Sequence, residues 1–120
     1  MSLLISIGMP ICNRLVEMIK VLDSILNQTY INFELIISND NFSNPEIDII
    51  VRRYVDVDNR IRYFKQENSI RTVENYSFVF KKVTGKYFMW LVDYDWVDSN
   101  FIENAVSFLE NNFNFRKYIL

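Results

Sequence analysis

The stretch YFMWLVDYD, residues 87–95, joins the most apolar run of the chain to a pair of acidic residues. Its first six residues are aromatic, aliphatic or β-branched, a pattern typical of a strand that is buried on both faces of a sheet. Asp93 and Asp95 follow directly and flank Tyr94. The stretch therefore predicts a central strand with carboxylates just beyond its carboxyl end.

Outward from this strand, short apolar runs alternate with longer segments whose apolar residues are spaced three and four apart. The third amphipathic segment is expected to end at Gly85, because glycine commonly follows the last turn of a helix. The pattern predicts strands at Leu3–Ile7, Phe33–Ser38, Arg60–Phe64 and Tyr87–Val92, and helices with apolar faces at Leu15–Leu26, Ile47–Tyr54, Val73–Val83 and Phe101–Leu109.

Four strands that alternate with four helices predict an α/β fold with three α/β/α layers around a mainly parallel sheet. The length of 120 residues suits a single domain spanning residues 1–120. Tyr87, Phe88 and Trp90 are interpreted as core residues of that domain, since they lie in the predicted central strand.

Composition excludes several function classes. A net charge of −2 lacks the basic excess of a nucleic-acid-binding surface. The chain has no histidine and one cysteine, Cys12, which excludes the usual zinc clusters, an intramolecular disulfide and histidine-activated nucleophiles. A bound metal would need oxygen ligands.

No apolar run reaches the roughly 18 residues of a membrane span, and no basic signal peptide opens the chain. We therefore expect a cytoplasmic protein without a transmembrane segment.

Ligands of parallel α/β sheets bind beyond the carboxyl ends of the strands. The segments that follow the predicted strands are therefore the candidate binding segments, and polar or acidic residues concentrate in all of them. They are Gly8–Arg14, Asn39–Asn44, Gln66–Arg71 and Asp93–Asp95.

The residue types alone leave two interpretations open for each acidic position. Asp93 and Asp95 can share Mg²⁺ or Mn²⁺ with a diphosphate, or they can form a solvated loop before the next helix. Asp40 can accept the hydrogen-bond donors of a nucleoside, or it can belong to an Asx turn.

The residue types also leave two interpretations open for Arg71 and for Cys12. Arg71 can neutralise a diphosphate or be ordinary surface charge. Cys12 lies in the connection Pro10 to Asn13, whose backbone can approach a ligand, and we interpret its thiol as a packing group because no histidine is available to activate it.

In this order, the motifs of the chain resemble the nucleotide-binding, N-terminal half of the family 2 glycosyltransferases, which have the GT-A fold. The resemblance covers about Leu4 to Leu109 and includes a Pro-x-x-Asn turn, an SxLxQT-Y segment and a DxD-like motif. The segments that carry it are Ile5–Arg14, Ser24–Tyr30, Phe33–Asp40, Arg60–Tyr63, Asn68, Asn75, Thr84–Leu91 and Asp93–Asp95.

The resemblance implies an inverting glycosyltransferase that moves a sugar from a nucleotide diphosphate sugar, UDP-linked in our expectation, to the hydroxyl of a saccharide or lipid-linked acceptor. It further implies metal assistance by Mg²⁺ or Mn²⁺. The implied metal ligands are Asp95, with Asp93 in support, and the implied nucleotide-sugar-binding residues are Pro10, Cys12, Asn13, Asp40, Arg71 and Asp93.

Family members continue past the point where this sequence ends. We therefore expect this sequence to stop before the acceptor-binding half, and we expect the catalytic base to lie beyond residue 120. We further expect that the protein can lie at the inner membrane surface and can form a homo-oligomer.

A noncatalytic nucleotide-sugar-binding or assembly domain is the alternative function. It is prompted by Tyr94 and Ile70, which stand at positions where family members usually have other residues. Another type of nucleotide-binding α/β protein is disfavoured, because the chain has neither a GxGxxG nor a GxxxxGK[ST] loop.

Overall fold

A computed structural model describes residues 3–11, 14–40, 45–92 and 96–112 of the chain. Within these residues, strands and helices alternate along the sequence. The elements are β1 (Ile5–Ile11), α1 (Leu15–Leu26), β2 (Phe33–Asn39), α2 (Pro45–Val57), β3 (Ile61–Lys65), α3 (Thr72–Phe80), β4 (Tyr87–Trp90) and α4 (Phe101–Asn112).

The four strands form one sheet in the order β3-β2-β1-β4, and every neighbouring pair is parallel. Among the described residues β4 is therefore an edge strand and not the central strand that its apolar sequence predicts, because it pairs with β1 alone. Ile5 of β1 lies opposite Phe33 on one side and opposite Tyr87 on the other. The predicted α/β fold with a parallel sheet is confirmed. No helix among the described residues is long and apolar enough to cross a membrane.

One face of the sheet carries the main hydrophobic core. Alternate residues of β1, from Ile5 to Ile11, are at most 1% exposed, as expected for side chains that point to the same face of a strand. They share one buried cluster with residues of α1, α2 and α4, of which Met18, Val51 and Ile102 are each 0% exposed.

The opposite face packs against α3 and is more polar. Val79 of α3 and Phe88 of β4 are buried there, and α3 contacts both β1 and β2. Gly8 permits this close packing, because a Cβ atom at its position would lie 2.7 Å from Val79 Cγ1. Buried polar residues on the strands and on α3 complete this layer, namely Ser6, Glu34, Ser38 and Asn75.

The predicted ends of β1 and α3 were wrong. β1 continues to Ile11, four residues past the predicted end, because it pairs with β2 along its whole length. α3 ends at Phe80, and Lys82 and Val83 close it with hydrogen bonds to carbonyl groups three residues earlier. Gly85 is therefore not the residue that ends the helix.

The aromatic residues of β4 divide between core and surface. Tyr87 and Phe88 are 1% and 0% exposed, which confirms their assignment to the core. Trp90 is only half-buried and packs against the rings of Tyr76, Phe80 and Phe88 at centroid distances of 4.7 to 6.4 Å.

Candidate functional site

The carboxyl ends of the strands meet at one edge of the sheet. Ile11 lies opposite Asn39, and Asn39 lies opposite Lys65, so β1, β2 and β3 end at the same level. Beside them, the backbone N–H of Leu91, just past β4, donates to the carbonyl of Gly8 at 2.8 Å. All four strands therefore end at this edge of the sheet.

Asp40 follows β2 at this edge and is 6% exposed. The loop after β3 packs against it through the backbone. The N–H of Gln66 donates to the carbonyl of Asn39 at 2.9 Å, and the N–H of Ile70 donates to the carbonyl of Asp40 at 3.3 Å. The structure thus brings Asp40 and the segment Gln66–Arg71 together, as the sequence predicts.

Pro10 lies inside β1 and is buried opposite Ser38, rather than in the predicted turn. Proline has no N–H to offer to a neighbouring strand. Pairing of β1 with β4 ends at Gly8 and Trp90, so the missing N–H of Pro10 breaks no hydrogen bond of that pairing. Pro10 remains at the carboxyl edge of the sheet. Cys12 and Asn13, the other predicted residues of this connection, lie outside the described residues.

Arg71 lies directly before α3 at the same edge, and its side chain is 84% exposed. Its guanidinium group pairs with Glu74, with 2.6 Å between Nη2 and Oε1. The hydrogen bond from Arg71 holds the pKa of the Glu74 carboxyl below its ordinary value. Glu74 also accepts the backbone N–H of Arg71 at 3.3 Å, so this exposed pair caps the start of α3.

Two hydrogen-bonded groups at the end of β2 were missed at the level of the sequence. The first lies on the α3 face, where Ser38 Oγ donates to Asn75 Oδ1 at 2.6 Å and accepts from Gln66 Nε2 at 3.0 Å. Asn75 Nδ2 in turn donates to the carbonyl of Ser38 at 3.2 Å. Asn75 belongs to the motifs that carry the family resemblance, which was the one available signal for this group.

The second group joins Asn39 to α2. Asn39 Nδ2 donates to the hydroxyl of Tyr63 at 3.1 Å, and that hydroxyl donates to Asp48 Oδ1 at 2.7 Å. Arg52 pairs with Asp48 at 3.0 Å. No local spacing signals this group, because its members come from three different elements.

Both ends of the Tyr63–Asp48 hydrogen bond show shifted pKa values. Burial raises the pKa of the Tyr63 hydroxyl, and the bond to Asp48 raises it further. Burial also acts to raise the pKa of Asp48, but the hydrogen bonds from Tyr63 and Arg52 outweigh it and lower the pKa overall. Tyr63 therefore stays protonated and Asp48 ionised near neutral pH, which keeps the donor and acceptor roles of the group fixed.

Asp93 and Asp95 lie outside the described residues. Elsewhere in the described part of the chain, no group of three or more histidine, cysteine, aspartate or glutamate side chains could hold a metal ion. The donor set that the acidic motif offers consists of carboxylate oxygens, and these are the ligands that suit Mg²⁺ and Mn²⁺.

The sequence profile described as "Glycosyl transferase family 2" matches residues 6–115. The chain belongs to this family. The match covers all four candidate binding segments, and so supports the resemblance drawn from the motifs.

Curated members of the family are similar in sequence. An uncharacterized glycosyltransferase of Rickettsia bellii is 34% identical over 112 residues, which cover 92% of this chain and 16% of that protein. An uncharacterized glycosyltransferase of Rickettsia typhi, RT0329, is 37% identical over 109 residues, which cover 90% of this chain and 32% of that protein. The chain thus spans about a third or less of these relatives.

Solved structures confirm the GT-A fold. Residues 1–349 of S. aureus TarS in complex with UDP superpose with a TM-score of 0.81 at 17% identity, covering 89% of this chain and 32% of that one. The mannosyltransferase PcManGT of Pyrobaculum calidifontis, in complex with GDP-Man and Mn²⁺, gives a TM-score of 0.79 at 17% identity, covering 91% of this chain and 33% of that one.

Proposed function

We propose that this chain is the donor-binding part of a glycosyltransferase, which binds a nucleotide diphosphate sugar for transfer to an acceptor hydroxyl. The observation that carries the proposal is that Asp40, Pro10 and the segment ending at Arg71 share one edge of a parallel sheet in a chain of this family. Structural neighbours crystallised with UDP, UDP-GlcNAc and GDP-Man support the class of ligand.

Asp40 is the proposed nucleoside-binding residue. A carboxylate that is nearly buried forms stronger hydrogen bonds with the N–H or O–H groups of a nucleoside than one in bulk water, because the local dielectric constant is lower. We propose that Pro10, Cys12 and Asn13 line the same pocket. Arg71 offers a guanidinium group to the diphosphate, since its exposed pair with Glu74 costs little to exchange.

Asp95 is the proposed ligand of Mg²⁺ or Mn²⁺, with Asp93 in support. The bound cation would neutralise charge on the departing diphosphate. The chain offers no imidazole ligand for this purpose, because it has no histidine. We propose that the catalytic base and the acceptor site, for a saccharide or a lipid-linked sugar, lie outside residues 1–120. A lipid-linked acceptor would bring the protein to the inner membrane surface.

Calorimetric titration of the chain with UDP and with GDP, each with and without Mn²⁺, tests the proposal directly. We expect UDP to bind, and Mn²⁺ to strengthen that binding, because the cation offsets repulsion between the diphosphate and the acidic motif. Preferential binding of GDP would correct the base that we favour. Absence of binding to both nucleotides would contradict the proposed function.

Asp95→Asn tests the metal assignment, since it keeps the size of the side chain and removes its charge. We expect the variant to bind UDP without Mn²⁺ at least as tightly as the wild type, because one repelling charge is removed, and to lose most of the Mn²⁺-dependent gain. Asp56→Asn, at an exposed position of α2, is the matched control for the lost charge and should keep that gain. A full Mn²⁺ gain in Asp95→Asn would show that Asp95 does not hold the metal.

A further inference from the structure

The end of β2 is held from both faces of the sheet by side chains from distant parts of the sequence. Asn75 of α3 bonds Ser38 on one face, and Tyr63 of β3 bonds Asn39 and connects it to α2. We propose that Tyr63 and Asn75 are positioning residues that fix Asp40 for nucleoside recognition. This inference rests on the proposed function, since Asp40 is the nucleoside-binding residue there.

The location of these bonds argues for a role in positioning. The β-ladder stops at Asn39, which pairs with Ile11 and Lys65, so Asp40 is the first residue beyond it. A strand end beyond its ladder loses the regular hydrogen bonds that hold a backbone in place. Beyond the ladder, the N–H of Ile70 bonds the carbonyl of Asp40, and the side-chain contacts of Ser38 and Asn39 add support two residues and one residue before the carboxylate.

The contacts come from elements that are themselves anchored. Asn75 is 3% exposed and lies on α3, which packs on β1 and β2. Tyr63 is half-buried in β3, and Asp48 is held on α2 by Arg52 as well. Ligand-binding groups must be held to within about 0.5 Å, and supporting hydrogen bonds from rigid elements provide that precision.

Tyr63→Phe is the first test, because it removes only the hydroxyl that joins Asn39 to Asp48. Tyr54→Phe is a matched control: the Tyr54 hydroxyl also donates to an aspartate at 2.7 Å, but that residue is Asp23 of α1. The two ligands are UDP and inorganic pyrophosphate, both with Mn²⁺. UDP reports on nucleoside and diphosphate binding together, and pyrophosphate reports on the diphosphate alone.

We expect Tyr63→Phe to weaken UDP binding by about three- to tenfold, the equivalent of one net hydrogen bond, and to leave pyrophosphate binding unchanged. Tyr54→Phe should leave both affinities unchanged. A loss that merely reflects reduced folding would weaken UDP and pyrophosphate binding equally, so equal loss for the two ligands overturns the proposal. Equal UDP affinity of Tyr63→Phe and Tyr54→Phe also overturns it.

A double-mutant cycle with Asp40→Asn tests whether Tyr63 acts through Asp40. We expect Tyr63→Phe to have little further effect on UDP affinity in the Asp40→Asn background. Effects that add in full would show that Tyr63 acts independently of Asp40. If the wild type binds neither UDP nor GDP, the proposed function fails and the positioning role fails with it. The wild type alone reveals that outcome, whereas failure of the positioning role alone appears only in the variants.

The other face is tested by Asn75→Ala, with Ser38→Ala as the second variant because it removes the hydroxyl between Asn75 and Gln66. Thermal unfolding first identifies which of the two is folded. We expect a folded variant to show the same selective loss of UDP affinity as Tyr63→Phe. Unchanged UDP affinity in the folded variant would remove Asn75 from the positioning residues.

Discussion

Gly85 and Gly8 are the two glycines of the chain, and both lie where another segment passes too close for a side chain. At Gly85, a Cβ atom would lie 2.7 Å from the carbonyl oxygen of Leu4 and 2.7 Å from Ser6 Oγ. The N–H of Gly85 donates to Ser6 Oγ at 2.7 Å. Gly85 is therefore required by the contact between the entry to β4 and the start of β1.

Gly85→Ala should destabilise the fold, because the added methyl group meets the backbone of Leu4, which cannot move without disturbing β1. Forcing extra atoms into a packed site commonly costs about 1 to 3 kcal/mol of unfolding free energy. Denaturant unfolding measures the change. Ser77→Ala, at an exposed position of α3, is the control and should stay within about 0.5 kcal/mol of the wild type. A Gly85→Ala variant as stable as that control would contradict the close contact.

Among the secondary-structure elements, α4 shares the buried core with α1 and is also joined to the end of α1 by polar contacts. Gln28, just past α1, is 6% exposed. Its Nε2 donates to the carbonyl of Asp98 at 2.6 Å, and its Oε1 accepts the N–H of Ile102 at 3.0 Å. Thr29 adds a bond to Glu103 at 2.9 Å. The SxLxQT-Y segment, which carried the family resemblance, thus has a structural role here.

Gln28→Ala should loosen α4, because it leaves the N–H of Ile102 without its acceptor in the first turn of the helix. An unpaired buried donor costs about 1 to 3 kcal/mol. Asn27→Ala is the matched control, since the Asn27 amide bonds the exposed carbonyl of Asp23 within its own helix. Hydrogen exchange should show faster exchange in α4 of Gln28→Ala than of Asn27→Ala. Equal exchange rates in the two variants would contradict the attachment.

At the scale of the whole molecule, Glu34 connects three strands and the turn before β4. Its carboxylate accepts hydrogen bonds from Ser6 Oγ at 2.5 Å, from Thr84 N and Oγ1 at 2.8 Å each, and from Arg62 Nη1 at 2.8 Å. Burial acts to raise the pKa of Glu34, but these donors outweigh it and the pKa falls below its ordinary value of 4.5. The ionised form is therefore favoured by folding.

A lowered pKa in the folded state means that Glu34 stabilises the protein above about pH 4.5, where it is also ionised in the unfolded chain. That contribution should decrease as the pH falls from there through the folded-state pKa. Glu34→Gln should reduce the unfolding free energy by about 2 kcal/mol at pH 7, because it disrupts hydrogen bonds to a charged group. The difference from the wild type should shrink as the pH falls below 4.5.

Denaturant unfolding at several pH values measures this difference. Glu17→Gln, which removes a carboxylate from an exposed position of α1, controls for the change in net charge. Its difference from the wild type should vary less with pH. A Glu34→Gln difference that stays constant between pH 7 and pH 3 would show that the network does not depend on the ionised carboxylate.

Much of the candidate site could be predicted because a parallel sheet places all its strand ends at one edge. Asp40 follows β2 and the segment Gln66–Arg71 follows β3, and the two come together because both strands end at that edge. Tyr63, Asp48 and Asn75 could not be assigned in the same way. Their partners lie 15 to 37 residues away in the chain, and local periodicity carries no information about hydrogen bonds over that distance.

The order and type of the elements follow from the sequence, because apolar periodicity and buried runs are local properties of the chain. The sequence also shows which polar residues follow the strands, and its ordered motifs point to the family. By contrast, the full length of β1, the need for glycine at position 85 and the contacts that hold Glu34 and the end of β2 become visible in the folded structure. Each of these depends on contacts between segments that are distant in sequence, and such contacts exist only once the sheet has assembled.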